Sequence, residues 1–270
     1  MRWEELTWSE FQAAVEKSKG VCLLTLGVLE KHGDHLPLGT DFLNVHKLAC
    51  LAAEKEPAMV FPQYYFGQIY EAQHMLGALA IRPKLMLDLL ENVCDEIGRN
   101  GFRKILLVNG HGGNTNMLDF FLQLMLYRKK PYVVYLAGWW PAKPEDQVYY
   151  RKLMETKEHG HACECETSYS LANFPELVKM DSVPEKPGHS LDRLKHLEDI
   201  RTPMDWYARY PDHYAGDARP ASKEKGEKLK AKWVEHMAQT IRRVKEDKTL
   251  PALYDEFFSH TEHQRGVKRA

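Results

Sequence analysis

At 270 residues, 44% of them apolar and 28% charged, the chain can bury a sizeable core in one α/β domain, and nothing in it asks for two. A formal net charge of −1 with both signs interspersed removes the electrostatic case for nucleic acid or an anionic membrane, and no apolar run approaches bilayer length. Five scattered cysteines make no disulfide framework and the N-terminus has no apolar signal core, so the expectation is a reduced, cytoplasmic protein.

In chain order, Thr7 to Glu10 opens a short helix with Phe11, Ala14 and Val15 at helical spacing, stopped by Gly20. The apolar run from Val21 to Leu29 reads as a buried strand, followed by a helix from Asp41 to Glu54. A second strand is expected over Ala58 to Pro62, leading into an aromatic and glycine-rich loop from Gln63 to Gly77 that contains His74. Pro83 to Asn100 is a helix with proline at its start and Leu85, Leu89, Leu90, Val93 and Ile97 on one stripe. A third strand, Lys104 to Val108, runs into a helix over Asn114 to Tyr127, and a fourth, Tyr132 to Leu136, ends at Trp139 and Trp140. Strand, loop and helix repeating in this way predict a three-layer αβα fold around a mostly parallel sheet.

Beyond Pro141 the periodicity loosens. A helix is expected over Glu145 to Glu158, another short one after Ser168, and an amphipathic one over Ala221 to Asp247. The stretch 174–220 is rich in proline, aspartate and histidine without a long period, and reads as an excursion from the single 1–270 domain, a lid or a subunit contact.

Polar motifs fall where strands end. After the first strand come Glu30, His32, Asp34, His35 and Asp41; Glu30 and His32 are two apart and share a face of an extended backbone. Carboxylates and imidazoles converging at the carboxyl edge of an α/β sheet suit a divalent metal with mixed N/O ligands. His111 follows the third strand among Gly110, Gly112 and Gly113, which let a ligand approach the backbone. A phosphate-loop reading of those glycines lacks the Walker lysine. Near His161, Glu164 and Glu166 offer a carboxylate for a second metal and another to move a proton, or else simply begin a helix. Asp34 and His35 are candidates to orient His32, Cys163 and Cys165 are packing residues, and His74, Gly112, Trp139 and Trp140 are candidate substrate contacts.

Taken together, Glu30-Lys-His-Gly-Asp-His-Leu-Pro-Leu-Gly-Thr-Asp41, Asn109-Gly-His-Gly-Gly-Asn114 and His161-Ala-Cys-Glu-Cys-Glu-Thr-Ser168 resemble the creatininase family, as does the later Gly216-Asp-Ala-Arg-Pro-Ala-Ser222. The resemblance implies a two-metal centre (zinc, manganese or iron), hydrolysis of non-peptide C–N bonds of a small-molecule amide, and a homohexamer. By position it implies that Glu30 and His111 hold one metal and His32 and Glu164 the other, with Asp41 bridging and His161 shuttling a proton. The creatinine-hydrolysing members carry a glutamate where this chain has Gly113; the Gly-Gly-Asn form is similar to the family's broader branch, which includes formamide hydrolases and a peptide-processing member. Two other readings keep the same residues: hydrolysis of a cyclic imide or lactone, and a metal-dependent binding protein without catalysis.

Overall fold

A computed structural model describes residues 1–138, 140, 141 and 143–262. In chain order the elements are α1 (Trp8–Lys17), β1 (Val21–Leu26), α2 (Thr40–Lys55), β2 (Met59–Val60), α3 (Pro83–Arg99), β3 (Lys104–Asn109), α4 (Thr115–Leu124), β4 (Val133–Leu136), α5 (Pro144–Leu153), β5 (His159–His161), α6 (Glu164–Asn173), α7 (Asp205–Arg209), β6 (Ala215–Gly216), α8 (Lys223–Glu246) and α9 (Thr249–Glu262).

The main sheet is parallel, in the order β2-β1-β3-β4, with Leu26 level with Asn109 at the carboxyl ends of β1 and β3. All six residues of β1 are buried, as a central strand covered on both faces requires, and this is why its sequence is apolar except for Thr25. Alternate residues feed opposite layers. Cys22, Leu24, Leu26, Ile105 and Leu107 pack against Leu90, Cys94 and Ile97 of α3 and Leu118 and Phe121 of α4. Val21, Leu23, Leu106 and Val108 pack against Val45, Leu48 and Ala52 of α2 and Met237, Ile241 and Val244 of α8. The expected three-layer αβα arrangement is present.

The differences from the sequence reading have local causes. β2 is only two residues long because Pro62 has no N–H to continue the ladder. The helix expected from Glu145 stops at Leu153, and the chain then enters the antiparallel pair β5–β6, which joins His161 to Ala215. α6 begins at Glu164 itself, so the acids expected on a loop lie on a helix. The stretch 174–220 is irregular apart from α7, β6 and short 3-10 turns, and β6 folds back over the carboxyl edge of the main sheet's motif loops. α9 escapes a pattern reading because most of its residues stay partly or fully exposed, with Phe258 buried. Among the described residues no helix is long and apolar enough to cross a membrane.

Candidate metal centre

The chain lays β2 on one side of β1 and then β3 on the other, so the order of winding reverses between β1 and β3. Such a switch point opens a crevice beyond the carboxyl ends of the two strands. Glu30 and His32 enter it from the loop after β1, a loop closed by the Glu30 N–H donating to the Leu38 carbonyl (3.0 Å). Asp41 enters from the first turn of α2, where the helix dipole favours an anion. His111 enters from the loop after β3; its N–H donates to Asn109 Oδ1 (3.1 Å), and Asn109 Nδ2 donates to its carbonyl (2.7 Å).

Four buried side chains therefore meet. His111 Nδ1 lies 2.8 Å from Glu30 Oε1 and 3.0 Å from Asp41 Oδ2, and His32 Nε2 lies 3.0 Å from Asp41 Oδ1. Each oxygen of Asp41 thus faces a different imidazole. His32 Nδ1 sits 3.3 Å from the Glu30 carbonyl, which can only accept, so Nδ1 carries a proton and Nε2 is the nitrogen turned toward Asp41. Glu30 Oε1, Asp41 Oδ2 and His111 Nε2 are buried with no hydrogen-bond partner. Glycine at 113 is what lets the backbone pass this close, since a Cβ there would lie 2.5 Å from His111 Nε2 and 2.7 Å from Gln68 Oε1 and Glu71 Oε1.

The electrostatics favour positive charge. Burial opposes ionisation of Glu30, yet the charge on His111, with hydrogen bonds from His111 and His213, holds its carboxyl well below the ordinary carboxylate range. Burial likewise opposes charge on His32 and His111, but Asp41 and Glu30 reverse the balance, taking His32 up to about 9 and His111 well above its usual value. Two buried carboxylates sharing imidazoles need a compensating cation, whether a proton or a metal.

Glu166 and His161 close the other side. Glu166 accepts from the Ala162 N–H (2.5 Å), and one of its oxygens falls within 4.8 Å of ring nitrogens of His32 and His161. Burial is the main cause that pushes Glu166 up to about 7, with His32 pulling the other way. His161 Nε2 donates to the Lys31 carbonyl (2.6 Å), leaving Nδ1 as an acceptor. Burial, reinforced by His32, keeps His161 neutral by lowering its pKa well below the histidine norm.

Glu164 is elsewhere. It accepts from the Glu155 N–H (3.1 Å), the Thr156 N–H (2.8 Å), Thr156 Oγ1 (2.7 Å) and Lys225 Nζ, all on the far side of α6. Residues two apart on a helix point about 200° apart, so once α6 begins at Glu164 only one of the two acids can face the crevice. The assignment of Glu164 to a second metal does not fit this placement; Glu166 is the acid on that side.

The remaining expectations divide. His35 bonds Thr167 Oγ1 (2.9 Å), and Asp34 is exposed beside Lys31 (3.5 Å), so neither orients His32. His74 is exposed and holds the Pro211 carbonyl (2.8 Å), tying its loop to the 174–220 stretch instead of reaching the crevice. Trp140 and Gly112 line a cavity of about 330 Å³ that meets the centre at Asp41 and Glu166; Tyr150, Tyr169 and Trp233 form its other aromatic walls, and Cys163 and Cys165 its floor. Trp139 lies outside the described residues. His213 was not anticipated at all: it sits 2.5 Å from Glu30 Oε2 through its Nε2, and no motif in the sequence marks it.

Comparison with known proteins follows the same lines. The chain is 28% identical over 257 residues to creatinine amidohydrolase of Pseudomonas putida, covering 88% of this chain and 95% of that one. It is 26% identical over 263 residues to 3-dehydro-scyllo-inosose hydrolase of Thermotoga maritima, covering 85% and 79%. Its structure superposes on a zinc–zinc form of a creatininase variant with a TM-score of 0.76 at 26% identity, covering 91% of this chain and 98% of the other. The creatinine amidohydrolase family description matches residues 4–241, and the chain belongs to the creatininase family.

Proposed function

We propose that the protein is a metal-dependent hydrolase that opens a non-peptide C–N bond in a small, flat, uncharged amide, a cyclic amide or a formamide. The observation that carries the reading is the set of buried, partnerless atoms: Glu30 Oε1, Asp41 Oδ2 and His111 Nε2 in a crevice whose potential favours cations. A buried polar atom left without a hydrogen-bond partner calls for an explanation, and at a cluster of carboxylates and imidazoles a bound ion supplies one.

The donors fit two divalent ions of the zinc, manganese or iron type. Glu30, Asp41 Oδ2 and His111 would hold one, and Asp41 Oδ1, His32 and Glu166 the other, with Asp41 bridging. Glu166 then takes the place of the acid that Gly113 cannot provide, as the Gly-Gly-Asn form of the motif suggests. Bound there, the cations would polarise the substrate carbonyl and acidify a water at neutral pH.

The protein's own groups do the rest. His161, neutral and with its Nε2 proton committed to Lys31, accepts a proton at Nδ1 and returns it to the departing nitrogen, which cannot leave as an amide anion. The aromatic walls set by Trp140, Tyr150, Tyr169 and Trp233 sandwich a planar group and keep water out. Among the described residues lining the cavity, Asp41 and Glu166 are the acids and there is no lysine or arginine, so no side chain there offers a fixed positive charge to a phosphate or carboxylate on the substrate. The cavity's volume sits at the lower end of the roughly 300–1,000 Å³ of small-molecule sites, which suits a ring or an aryl formamide.

The test is elemental analysis of protein purified without added metal, followed by hydrolysis assays on cyclic amides and N-formyl arylamines before and after chelation. Activity that survives complete removal of metal overturns the proposal.

A further inference from the structure

His213 occupies the turn between α7 and β6, is 1% exposed, and has a backbone φ of 56°. A histidine in the left-handed region costs about 1–2 kcal/mol relative to the right-handed one, and a cost of that kind persists where the surroundings require the side chain's position. The surroundings here are specific. Trp206 Nε1 donates to His213 Nδ1 at 2.8 Å, and His213 Nε2 lies 2.5 Å from Glu30 Oε2. An indole nitrogen can only donate, so His213 Nδ1 must be the acceptor and its proton must sit on Nε2.

We infer that Trp206 and His213 form a positioning relay for the metal centre: Trp206 fixes the tautomer, and the His213 Nε2–H pins Glu30 Oε2 so that Glu30 Oε1 is left free for a cation. The inference rests on the metal-centre reading above. It also bears on one of the three clusters of ligand-type atoms found among the described residues. Glu30, His161 and His213 converge closely enough to hold an ion, but both imidazoles turn a protonated Nε2 inward, to Lys31 and to Glu30, and a protonated nitrogen cannot ligate. In the cluster Glu30–Asp41–His111, by contrast, the imidazole keeps a second nitrogen, Nε2, that is buried without a hydrogen-bond partner. The ring of His161 packs 4.3 Å from that of His213, and Trp206 meets both edge-on, so the relay is also packed in place from the outer side. Ligands held by outer partners of this sort typically lose 10–100-fold in metal affinity when the partner is removed.

Two substitutions separate this role from a merely structural one. Asparagine tolerates the left-handed backbone, but its amide reaches only the position of Nδ1. Glutamine places an N–H near the position of Nε2. For metal-free wild type and variants, competition with a chromophoric chelator would give zinc and cobalt affinities, and ¹⁵N spectra of labelled histidine would give the tautomer. His213→Asn should bind the tighter of the two ions about 10–100-fold more weakly, while His213→Gln stays within about threefold of wild type. Trp206→Phe, which keeps the ring and loses the N–H, should release the Nε2–H tautomer of His213 and weaken binding in the same direction. Equal affinity of His213→Asn and wild type overturns the inference, as does equal loss in the asparagine and glutamine variants or a wild-type His213 protonated on Nδ1. Cobalt spectra showing one ligand fewer in His213→Asn also overturn it, since His213 would then be a ligand. A wild type that binds no cation removes the metal-centre reading itself, and the tautomer spectra, which need no metal, keep the two failures apart.

Discussion

Glu30 and Glu164 are both 0% exposed and end up in opposite chemical situations. Glu164 is saturated: backbone N–H groups of Glu155 and Thr156, the Thr156 hydroxyl and the Lys225 ammonium all donate to it. Glu30 has one oxygen against His213 and the other partnerless beside His111, and Asp41 repeats the pattern. A buried carboxylate that the protein itself satisfies ties elements together; one left with open lone pairs among imidazoles is waiting for something the chain does not encode. Glu164 joins α6 to the turn before β5 and to α8 with both of its oxygens, whereas Glu30 and Asp41 each keep one oxygen that no hydrogen bond holds.

The sharpest way to break this contrast is Asp41→Asn. Losing the bridging charge removes several kcal/mol of cation-based stabilisation, so activity on any amide substrate should fall by roughly a thousandfold or more, with metal content falling alongside.

Next in size is metal removal from the wild type. A cation that binds only the folded state, at 100 times its dissociation constant, stabilises by about 2.7 kcal/mol, so chelation should lower the melting temperature by several degrees and re-addition should restore it. Glu164→Gln is expected to cost about 1–3 kcal/mol by removing the charge that the Thr156 and Lys225 donors bond, although Lys225 keeps Glu155 and the Pro220 carbonyl, as measured by urea unfolding, while the folded protein keeps its full metal stoichiometry. Loss of metal in that variant would return Glu164 to the centre and erase the distinction drawn here.

The smallest effect is at Glu56, which clamps the end of α2 to Lys245 (2.6 Å) and Arg242 (3.1 Å) of α8. Its hydrogen bond from Lys245, and then that from Arg242 against the opposing effect of burial, hold its carboxyl below the ordinary value. A carboxyl depressed in the folded state contributes its full stabilisation above the unfolded value of about 4.3 and loses it as the pH falls through the folded one. Glu56→Gln should therefore lower stability by a few tenths of a kcal/mol at neutral pH and leave it unchanged at the acid end of a pH–stability profile.

Much of this architecture could be read from residue patterns. The largely apolar run of β1 and the abrupt change to acids and histidines after it locate a central strand and its carboxyl-end loop, which is why Glu30, His32, Asp41 and His111 could be named together before any geometry was known. Glu164 and Glu166 could not be told apart, because the choice turns on the residue at which α6 begins, and Cys163, Glu164 and Cys165 carry no strong start signal. His213 was illegible for a different reason. It belongs to an aperiodic stretch and meets Glu30 across 183 positions, so only the fold brings them together. His74 misled, since a histidine after a strand suits a substrate contact equally well, yet this one braces a loop.

The separation between Glu30 and His213 has a consequence for the order in which the molecule is made. A ribosome has finished β1, α2 and β3 long before it reaches the turn that carries Trp206 and His213, so for most of synthesis the acidic loop exists without its backing. Stable cation capture would then come late, after the last third of the chain has closed over the sheet, and a prematurely terminated product would expose its carboxylates without acquiring the ions.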